Sequence, residues 1–186
     1  MRRVEDPVPR DAPGGVPYFA ANASLVQRWR DRLAEFRGRK IGIHWRVGHQ
    51  QSIAALRNVP LAEFARLAQV PNVQLFSLQK GPGAEEVREF PEIVDLGPEV
   101  DENTGAFVDT AAVLKNLDLL ITSDSAIGHV AGAIGVPVWL VLCSPSEWRW
   151  YQTGDTTAWY PTMRLFRQPT PGDWTGAVDL VKAALS

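Results

Sequence analysis

The chain has 186 residues, of which 45% are hydrophobic and 22% are charged, and these proportions exclude a disordered, collagenous or coiled-coil protein. The length suits one α/β domain and is too short for two nucleotide-binding domains with a linker. Nineteen Lys and Arg stand against 21 Asp and Glu, and Cys143 is the single cysteine, so we expect no nucleic-acid partner, no intrachain disulfide and no multi-cysteine zinc site.

The first 21 residues are rich in proline and glycine, a composition that favours an irregular tail or linker over helix or strand. They lack the apolar stretch of a signal peptide. No run in the chain approaches the roughly 18 apolar residues of a membrane span. We therefore expect a cytoplasmic protein without a transmembrane segment, in which residues 22–186 form one domain.

The spacing of Leu25, Trp29, Leu33 and Phe36 predicts a first helix, capped by Asn22 or Ser24 and stopped by Gly38. Short apolar runs and helical patterns then alternate along the chain. The predicted strands lie near residues 40–45, 73–78, 93–96, 119–123, 138–142 and 163–167. The predicted helices lie near residues 61–69, 84–90, 109–116, 126–134 and 174–185.

This alternation predicts an α/β fold, a Rossmann-like three-layer sandwich with a mostly parallel six-stranded sheet. In the common strand order 3-2-1-4-5-6, the first and fourth strands are neighbours whose connections leave in opposite directions. A crevice for ligands then opens at their carboxyl ends. Residues 44–52 and 124–129 would line it.

The segment Thr122-Ser-Asp-Ser-Ala-Ile-Gly-His129 follows the fourth strand and opens a helix of small residues. Asp124 or Ser125 would cap this helix, whose first backbone N–H groups, with that of Ala126, would bind a phosphate. Ser125 could add a hydroxyl donor, and His129 could donate to the same anion as an imidazolium. In isolation, a plain helix cap and an internally bonded histidine are the more frequent explanation of these residues. Their place at the crevice favours a functional role.

Two further loops reach the same crevice. Trp45 and Arg46 follow the first strand, with Arg57 a short way on, and both arginines could pair with phosphates. Gln79 and Lys80 follow the second strand and supply another cation. An ordinary solvated arginine or a simple turn before a helix remains the alternative for these positions.

The aromatic residues at 147–151 and 159–161 could stack on a sugar or a base, or could build a core or an interface. The acidic residues between positions 85 and 102 are typical of a solvated surface. No G-x-G-x-x-G follows the first strand, and neither a Walker-type loop nor H-E-x-x-H occurs. Dinucleotide, P-loop and zinc-protease functions therefore lose their main support.

Eight stretches, in order along the chain, resemble the carboxyl-terminal half of the glycosyltransferases found behind tetratricopeptide repeats. These enzymes are similar to the heptosyltransferases of glycosyltransferase family 9. The matching stretches are residues 40–45, 57–61, 76–83, 109–112, 116–126, 129–139, 148–150 and 159–168.

The resemblance implies a GT-B architecture of two Rossmann-like halves, of which this chain would be the second, holding the nucleotide-sugar donor. The family's residues around the donor diphosphate fall on Asp124, Ser125 and His129, and its phosphate-side cations on Arg57 and Lys80. The family usually reads Trp-Ala-Gly-Asn in the first loop and Arg-Ser before Pro-Leu. Here Arg46-Val47-Gly48 displaces the glycine, and Asn58 replaces the serine.

Two functions are compatible with these observations. The first is the donor-binding half of an inverting, metal-independent glycosyltransferase, with a nucleotide diphosphate sugar as substrate, no cofactor and no assigned catalytic residue. It would be completed by an amino-terminal Rossmann-like half, or by tetratricopeptide repeats, from the same precursor or a partner chain. The second is a noncatalytic interaction or regulatory domain that retains the fold.

Overall fold

The computed structural model describes residues 15–47 and 53–186 of the chain. Six parallel strands in these residues form one sheet in the order β3-β2-β1-β4-β5-β6, which confirms the predicted Rossmann-like fold and its strand order. The strands are β1 Arg39–His44, β2 Val73–Ser77, β3 Ile93–Asp95, β4 Leu119–Ser123, β5 Val138–Leu142 and β6 Met163–Arg167.

Helices cover both faces of this sheet. The α-helices of the described residues are α1 Ala23–Leu33, α2 Leu61–Ala65, α3 Val108–Leu114, α4 Ala126–Ala133 and α5 Trp174–Leu185. Short 3-10 helices lie at Ile53–Arg57, Arg66–Gln69, Ala84–Glu89, Gly97–Glu99 and Trp148–Trp150.

The strands are apolar on both sides, as is typical of a parallel sheet buried between two helical layers. Leu120 of β4 joins the core cluster that contains Trp29 of α1 and Leu114 of α3. Its neighbours Leu119 and Ile121 join the opposite cluster, which contains residues of α2 and α5. Alternate residues of one central strand therefore serve two cores and fix the three layers.

The first helix is shorter than its apolar spacing predicts. Asn22 is the N-cap, as predicted, and its side chain accepts from two first-turn backbone N–H groups, but α1 ends at Leu33. Phe36 leaves the helix and packs edge-on against Phe76, with ring centroids 5.1 Å apart. Gly38, the predicted stop, instead turns the chain into β1 with a φ of +85°.

Two other predicted helices differ in type. The helix predicted at 61–69 is α2 followed by a 3-10 turn, and the helix predicted at 84–90 is wholly 3-10. Gly83, with a φ of +88° in the left-handed region, directly precedes that second segment. The remaining element bounds move by no more than two residues.

The predicted tail lies outside the described residues up to position 14, as do positions 48–52 of the first loop. Residues 15–22 form neither helix nor strand, yet Val16 packs on the core. The backbone N–H groups of Tyr18 and Phe19 donate to the carbonyl of Ala133 at 3.1 and 3.4 Å. The domain boundary between residues 21 and 22 stays a prediction. No helix in the described part of the chain is both long enough and apolar enough to cross a bilayer.

Candidate functional site

A cleft opens where β1 and β4 end side by side, with His44 opposite Thr122. The chain continues from β1 toward β2 and from β4 toward β5, on opposite sides of this junction, which is where open parallel sheets bind ligands. We call this cavity of about 510 Å³ the switch-point cleft. It is lined by His44, Arg46, Val47, Leu78, Lys80, Asp101, Ala106, Phe107, Thr110, Ser125, Ala126 and Ile127.

Four of the nine residues assigned to donor binding line the switch-point cleft. They are Arg46, Lys80, Ser125 and Ala126. The other five lie around it, in the core, in a neighbouring loop or on the far side of α4. They are Trp45, Arg57, Gln79, Asp124 and His129.

The N-terminus of α4 points its backbone donors at this cleft. Ser125 occupies the N-cap position with an extended backbone, and its side chain accepts no hydrogen bond from the helix. The N–H groups of Ala126 and Ile127 have no acceptor among the described residues. Two free donors at the positive end of a helix dipole favour an anion at this point.

The hydroxyl of Ser125 is directed inward rather than toward the cleft. Its oxygen lies 3.0 Å from the Thr122 hydroxyl and 3.2 Å from His44 Nδ1. Thr122 donates its own proton to the carbonyl of Ser123 at 2.8 Å, so it can only accept from Ser125. The single proton of Ser125 therefore serves an internal acceptor, and an anion at α4 depends on the backbone donors.

His44 is the neutral member of this hydrogen-bonded chain. Burial lowers its pKa to about 4, and a backbone hydrogen bond opposes that shift only in part. At neutral pH the ring is uncharged. It therefore orients the hydroxyl network beside the cleft without adding a positive charge.

The two cations that line the cleft each have an acceptor within the protein. Arg46 forms an ion pair with Glu86, whose other carboxylate oxygen accepts from the indole N–H of Trp45 at 3.1 Å. Lys80 donates to the carbonyl of Val100. An incoming phosphate would compete with these partners for both charges.

Gln79 holds the loops together and is buried beneath them. Its amide oxygen accepts from the backbone N–H groups of Trp45 at 3.2 Å and Arg46 at 2.9 Å. Its amide nitrogen donates to the carbonyls of Arg46, Lys80 and Pro82 at 3.0 to 3.2 Å. Trp45 is likewise buried. These two residues shape the cleft from behind, although the sequence suggested that they would face the ligand.

Arg57 lies on the other side of α4's N-terminus, between two carboxylates. Its Nη1 is 3.4 Å from Asp124 Oδ2, and its Nη2 is 3.1 Å from Glu147 Oε1. Arg57 and Glu147 also line a second cavity, of about 570 Å³. Within the described residues, no three His, Cys, Asp or Glu side chains converge as metal ligands would.

His129 faces an aromatic cluster away from the switch-point cleft. Its ring stacks on Trp150, with centroids 5.4 Å apart, and Nδ1 lies 3.1 Å from the Tyr160 hydroxyl. Burial lowers the pKa of His129, Asp124 opposes this shift and Arg149 adds to it. These surroundings favour the neutral ring rather than the imidazolium expected from the sequence. Trp150 and Tyr160 belong to the core, which is one of the roles that the sequence suggested for these aromatic stretches.

The far wall of the cleft is formed by residues to which the sequence assigned no role. Asp101 bonds both the backbone N–H and the hydroxyl of Thr110 at the start of α3. Phe107, which is partly exposed at the mouth, has a φ of +64°. A left-handed aromatic residue is strained, and such strain clusters at functional sites. The sequence offered little indication of a role for Asp101, because this residue stands in a run of acidic residues that is typical of a solvated surface.

No family model matches the sequence. Among curated proteins, protein FlbA of Caulobacter vibrioides is 27% identical over 174 residues, which make up 90% of this chain and 28% of FlbA. The chain therefore spans less than a third of that relative.

Solved structures resemble the chain more in fold than in sequence. The E. coli ADP-heptose LPS heptosyltransferase II superposes with a TM-score of 0.62 at 15% identity, covering 91% of this chain and 53% of that one. This chain has the fold of half a heptosyltransferase. A glycosyl transferase family 9 structure from Veillonella parvula gives 0.58 at 14% identity, covering 90% and 50%. E. coli heptosyltransferase WaaC gives 0.56 at 14% identity, covering 92% and 51%. The resemblance to family 9 heptosyltransferases is thereby confirmed at the level of the fold.

Proposed function

We propose that residues 22–186 are the nucleotide-sugar-binding half of a GT-B type, inverting, metal-independent glycosyltransferase. The observation that carries the proposal is that α4 opens its unpaired N–H groups, at Ala126 and Ile127, into a cleft that also contains Arg46 and Lys80. This cleft lies at the switch point of a heptosyltransferase-like fold. WaaC, which shares that fold, has been solved with ADP and with ADP-2-deoxy-2-fluoro heptose.

The diphosphate of the donor would lie at the N-terminus of α4. The backbone N–H groups of Ala126 and Ile127 would bind its oxygens, and the helix dipole would favour its charge. Lys80 would turn from the Val100 carbonyl to the phosphates, since a bond to an anion is stronger than one to a neutral carbonyl. Arg46 would exchange its ion pair with Glu86 for one with the phosphates.

The nucleoside would fill the apolar end of the same cleft. Leu78, Ala106 and Ile127 line that end, and the ring of Phe107 stands partly exposed at its mouth. An aromatic face beside an apolar pocket suits a nucleobase. The Asp101 carboxylate, at the start of α3, lies beside this space and could accept from a ribose hydroxyl.

The chemistry assigned to this half is stabilisation of the leaving group. As the glycosidic bond to the donor breaks, negative charge grows on the nucleotide diphosphate, where α4 and the two cations would stabilise it without a metal. The site that binds the acceptor and the residue that acts as general base would belong to an amino-terminal Rossmann-like half. That half, or tetratricopeptide repeats, would belong to the same precursor or to a partner chain.

A noncatalytic domain that retains the fold is the second candidate, and a specific observation favours it. Arg46, Lys80 and Arg57 all have internal acceptors, and the Ser125 proton is used within the protein. A domain that no longer binds a sugar nucleotide would need such internal pairs, because a charge left in the cleft without a partner destabilises the fold. The two candidates differ in whether a nucleotide binds.

Calorimetry of the full chain with UDP, ADP, GDP and their sugars tests the proposal. Ala126→Pro removes one anion donor, while proline suits the first position of a helix after the extended Ser125. We expect this variant to weaken nucleotide binding by about tenfold or more. Ala126→Val keeps the N–H at similar bulk and should bind nearly as the parent does. If no nucleotide gives a binding signal at millimolar concentration, the noncatalytic domain is favoured.

A further inference from the structure

The second cavity, of about 570 Å³, is lined by Arg57, whose guanidinium contacts Asp124 next to the N-cap of α4. It sits between the loop that follows β5 and the turn that precedes α5. Trp148 from the first of these segments and Trp174 from the second are among its walls. We call this cavity the tryptophan cleft.

The two indoles give this cleft aromatic surface, although Trp174 also packs against a core cluster and the Arg149 guanidinium lies over the Trp148 ring, 5.5 Å from its centroid. Trp148 is 59% exposed, and Trp174 is half-buried at the first position of α5. Neither indole N–H donates to another described residue. An aromatic face with a free polar edge suits a ligand that is apolar on one side and polar at its rim.

Gln168 adds a polar group fixed in the wall of the tryptophan cleft. Its side-chain oxygen accepts from the backbone N–H groups of Ser144 at 3.0 Å and Gly172 at 3.1 Å, which holds the amide in one orientation. The residue is only 5% exposed, and its amide nitrogen, which donates to no described residue, keeps accessible surface at the cleft wall. A donor held in one orientation at the wall can bond to a ligand group in place of water.

Arg57 and Glu147 complete the polar lining on the side nearest α4. Their ion pair at 3.1 Å leaves the second carboxylate oxygen of Glu147 without a partner among the described residues. Arg57 also contacts Asp124, which directly precedes Ser125, the N-cap of α4 and a lining residue of the switch-point cleft. A group attached to a diphosphate at α4 could therefore reach the tryptophan cleft past this guanidinium.

We infer that the tryptophan cleft binds a pyranose ring. A pyranose has an apolar face of C–H groups that packs on indole and a rim of hydroxyls that both donate and accept. Trp148 and Trp174 supply the faces, Gln168 supplies a fixed donor, and Glu147 supplies an acceptor. The sugar could be carried by the donor or by the acceptor. The inference rests on the proposed function only for the reaction that this sugar would enter.

NMR on the full chain tests the inference, with glucose, galactose, mannose and N-acetylglucosamine as free probes and with UDP and UDP-glucose in parallel. We expect at least one free or UDP-linked pyranose to shift the indole N–H signals of Trp148 and Trp174, and UDP alone to leave them unchanged. Shifts by free sugars in the presence of saturating UDP would assign the cleft to the acceptor. Shifts by UDP-glucose alone would assign it to the donor.

Matched variants separate this inference from the nucleotide site. Trp148→Ala removes an exposed ring, and Gln168→Glu keeps the oxygen that holds the loops while removing the donor. Each should weaken pyranose binding by about tenfold. Phe107→Ala, in the other cleft, should weaken nucleotide binding and leave free-pyranose binding unchanged. Pyranose binding without nucleotide binding would uphold the inference and reject the proposed function. Unshifted indole signals across all the sugars, or sugar binding that survives both cleft variants, would overturn the inference.

Discussion

Arg57 Nη1 lies 3.4 Å from Asp124 Oδ2, so a partly exposed guanidinium covers a buried carboxylate at the end of β4. The sequence suggested that both residues would contact the donor phosphates directly. Their pairing gives Arg57 a structural role as well, because Asp124 has no other hydrogen-bond donor among the described residues.

We expect Arg57→Ala to lower the free energy of unfolding by about 1–3 kcal/mol, because it leaves the Asp124 carboxylate buried without a partner. The double variant Arg57→Ala with Asp124→Asn should recover part of that loss. Urea denaturation of the parent, the two single variants and the double variant measures the coupling. Arg66→Ala, which breaks an exposed pairing with Glu63 and Asp179, is the control and should change stability little. If Arg57→Ala costs the same in the parent as in the Asp124→Asn variant, the pair is not coupled.

Gln79→Ala should loosen both loops at the cleft, because five hydrogen bonds to the backbone are lost together. We expect a destabilisation of about 2–3 kcal/mol and faster hydrogen exchange at the amides of Trp45 and Arg46. Gln74→Ala, which removes a partly buried amide near the start of β2, is the matched control, with an expected cost below about 1 kcal/mol. Unchanged exchange at Trp45 and Arg46 would contradict this account of Gln79.

The strand order and the position of the cleft followed from local patterns, whereas the direction of Gln79 did not. Apolar runs alternating with helical spacing leave few topologies for a parallel sheet, and the switch point follows from the order. A glutamine after a strand has the same signature whether it faces a ligand or the backbone. Its inward direction depends on the loop itself, which Gly81 and Gly83 bend back with φ of +68° and +88°.

The pairings of the cations were equally beyond local inference. Arg57 meets a carboxylate 67 positions away, and Arg46 meets one 40 positions away. No spacing rule links such residues, because their contact depends on how the loops fold over the sheet. The left-handed backbone of Phe107 has the same origin, since only tertiary contacts hold a side chain of that size at positive φ.

The pH dependence of stability should carry a contribution from His44. Its pKa is about 4 in the folded protein and 6.5 in a free side chain, so the unfolded chain binds more protons between these values. Stability therefore falls as the pH drops through that window. Urea denaturation at about pH 8 and about pH 5 should show a smaller loss in His44→Asn than in the parent. His129 contributes in the same direction, which makes the difference between the two proteins the informative quantity. Identical losses would contradict the burial of His44 as a neutral ring.

Phe107→Gly should separate stability from binding. Glycine relieves the left-handed backbone, which for a non-glycine residue costs about 1 kcal/mol, and this gain offsets the packing lost with a ring that is 39% exposed. We therefore expect the free energy of unfolding to change little while nucleotide affinity falls. Denaturation and calorimetry on one preparation measure both. Asn72→Gly, at a φ of +63° away from the cleft, should leave affinity unchanged. If Phe107→Gly binds nucleotide as tightly as the parent does, Phe107 does not contact the base.

The chain by itself should bind a sugar nucleotide and transfer no sugar. Transfer with inversion needs a general base at the acceptor hydroxyl and an acceptor held in line with the anomeric carbon. The carboxylates beside the switch-point cleft are engaged, Glu86 by Arg46, Asp101 by Thr110 and Asp124 by Arg57. Positioning supplies about 7–11 kcal/mol of barrier reduction in favourable cases, which a half-site open to water would forfeit. Incubation of the chain with UDP-glucose, ADP-glucose or GDP-mannose and a protein or cell-envelope acceptor extract should release little nucleotide and incorporate no sugar. Incorporation that Ala126→Pro abolishes and Ala126→Val retains would refute this expectation, because the base would then lie within these 186 residues.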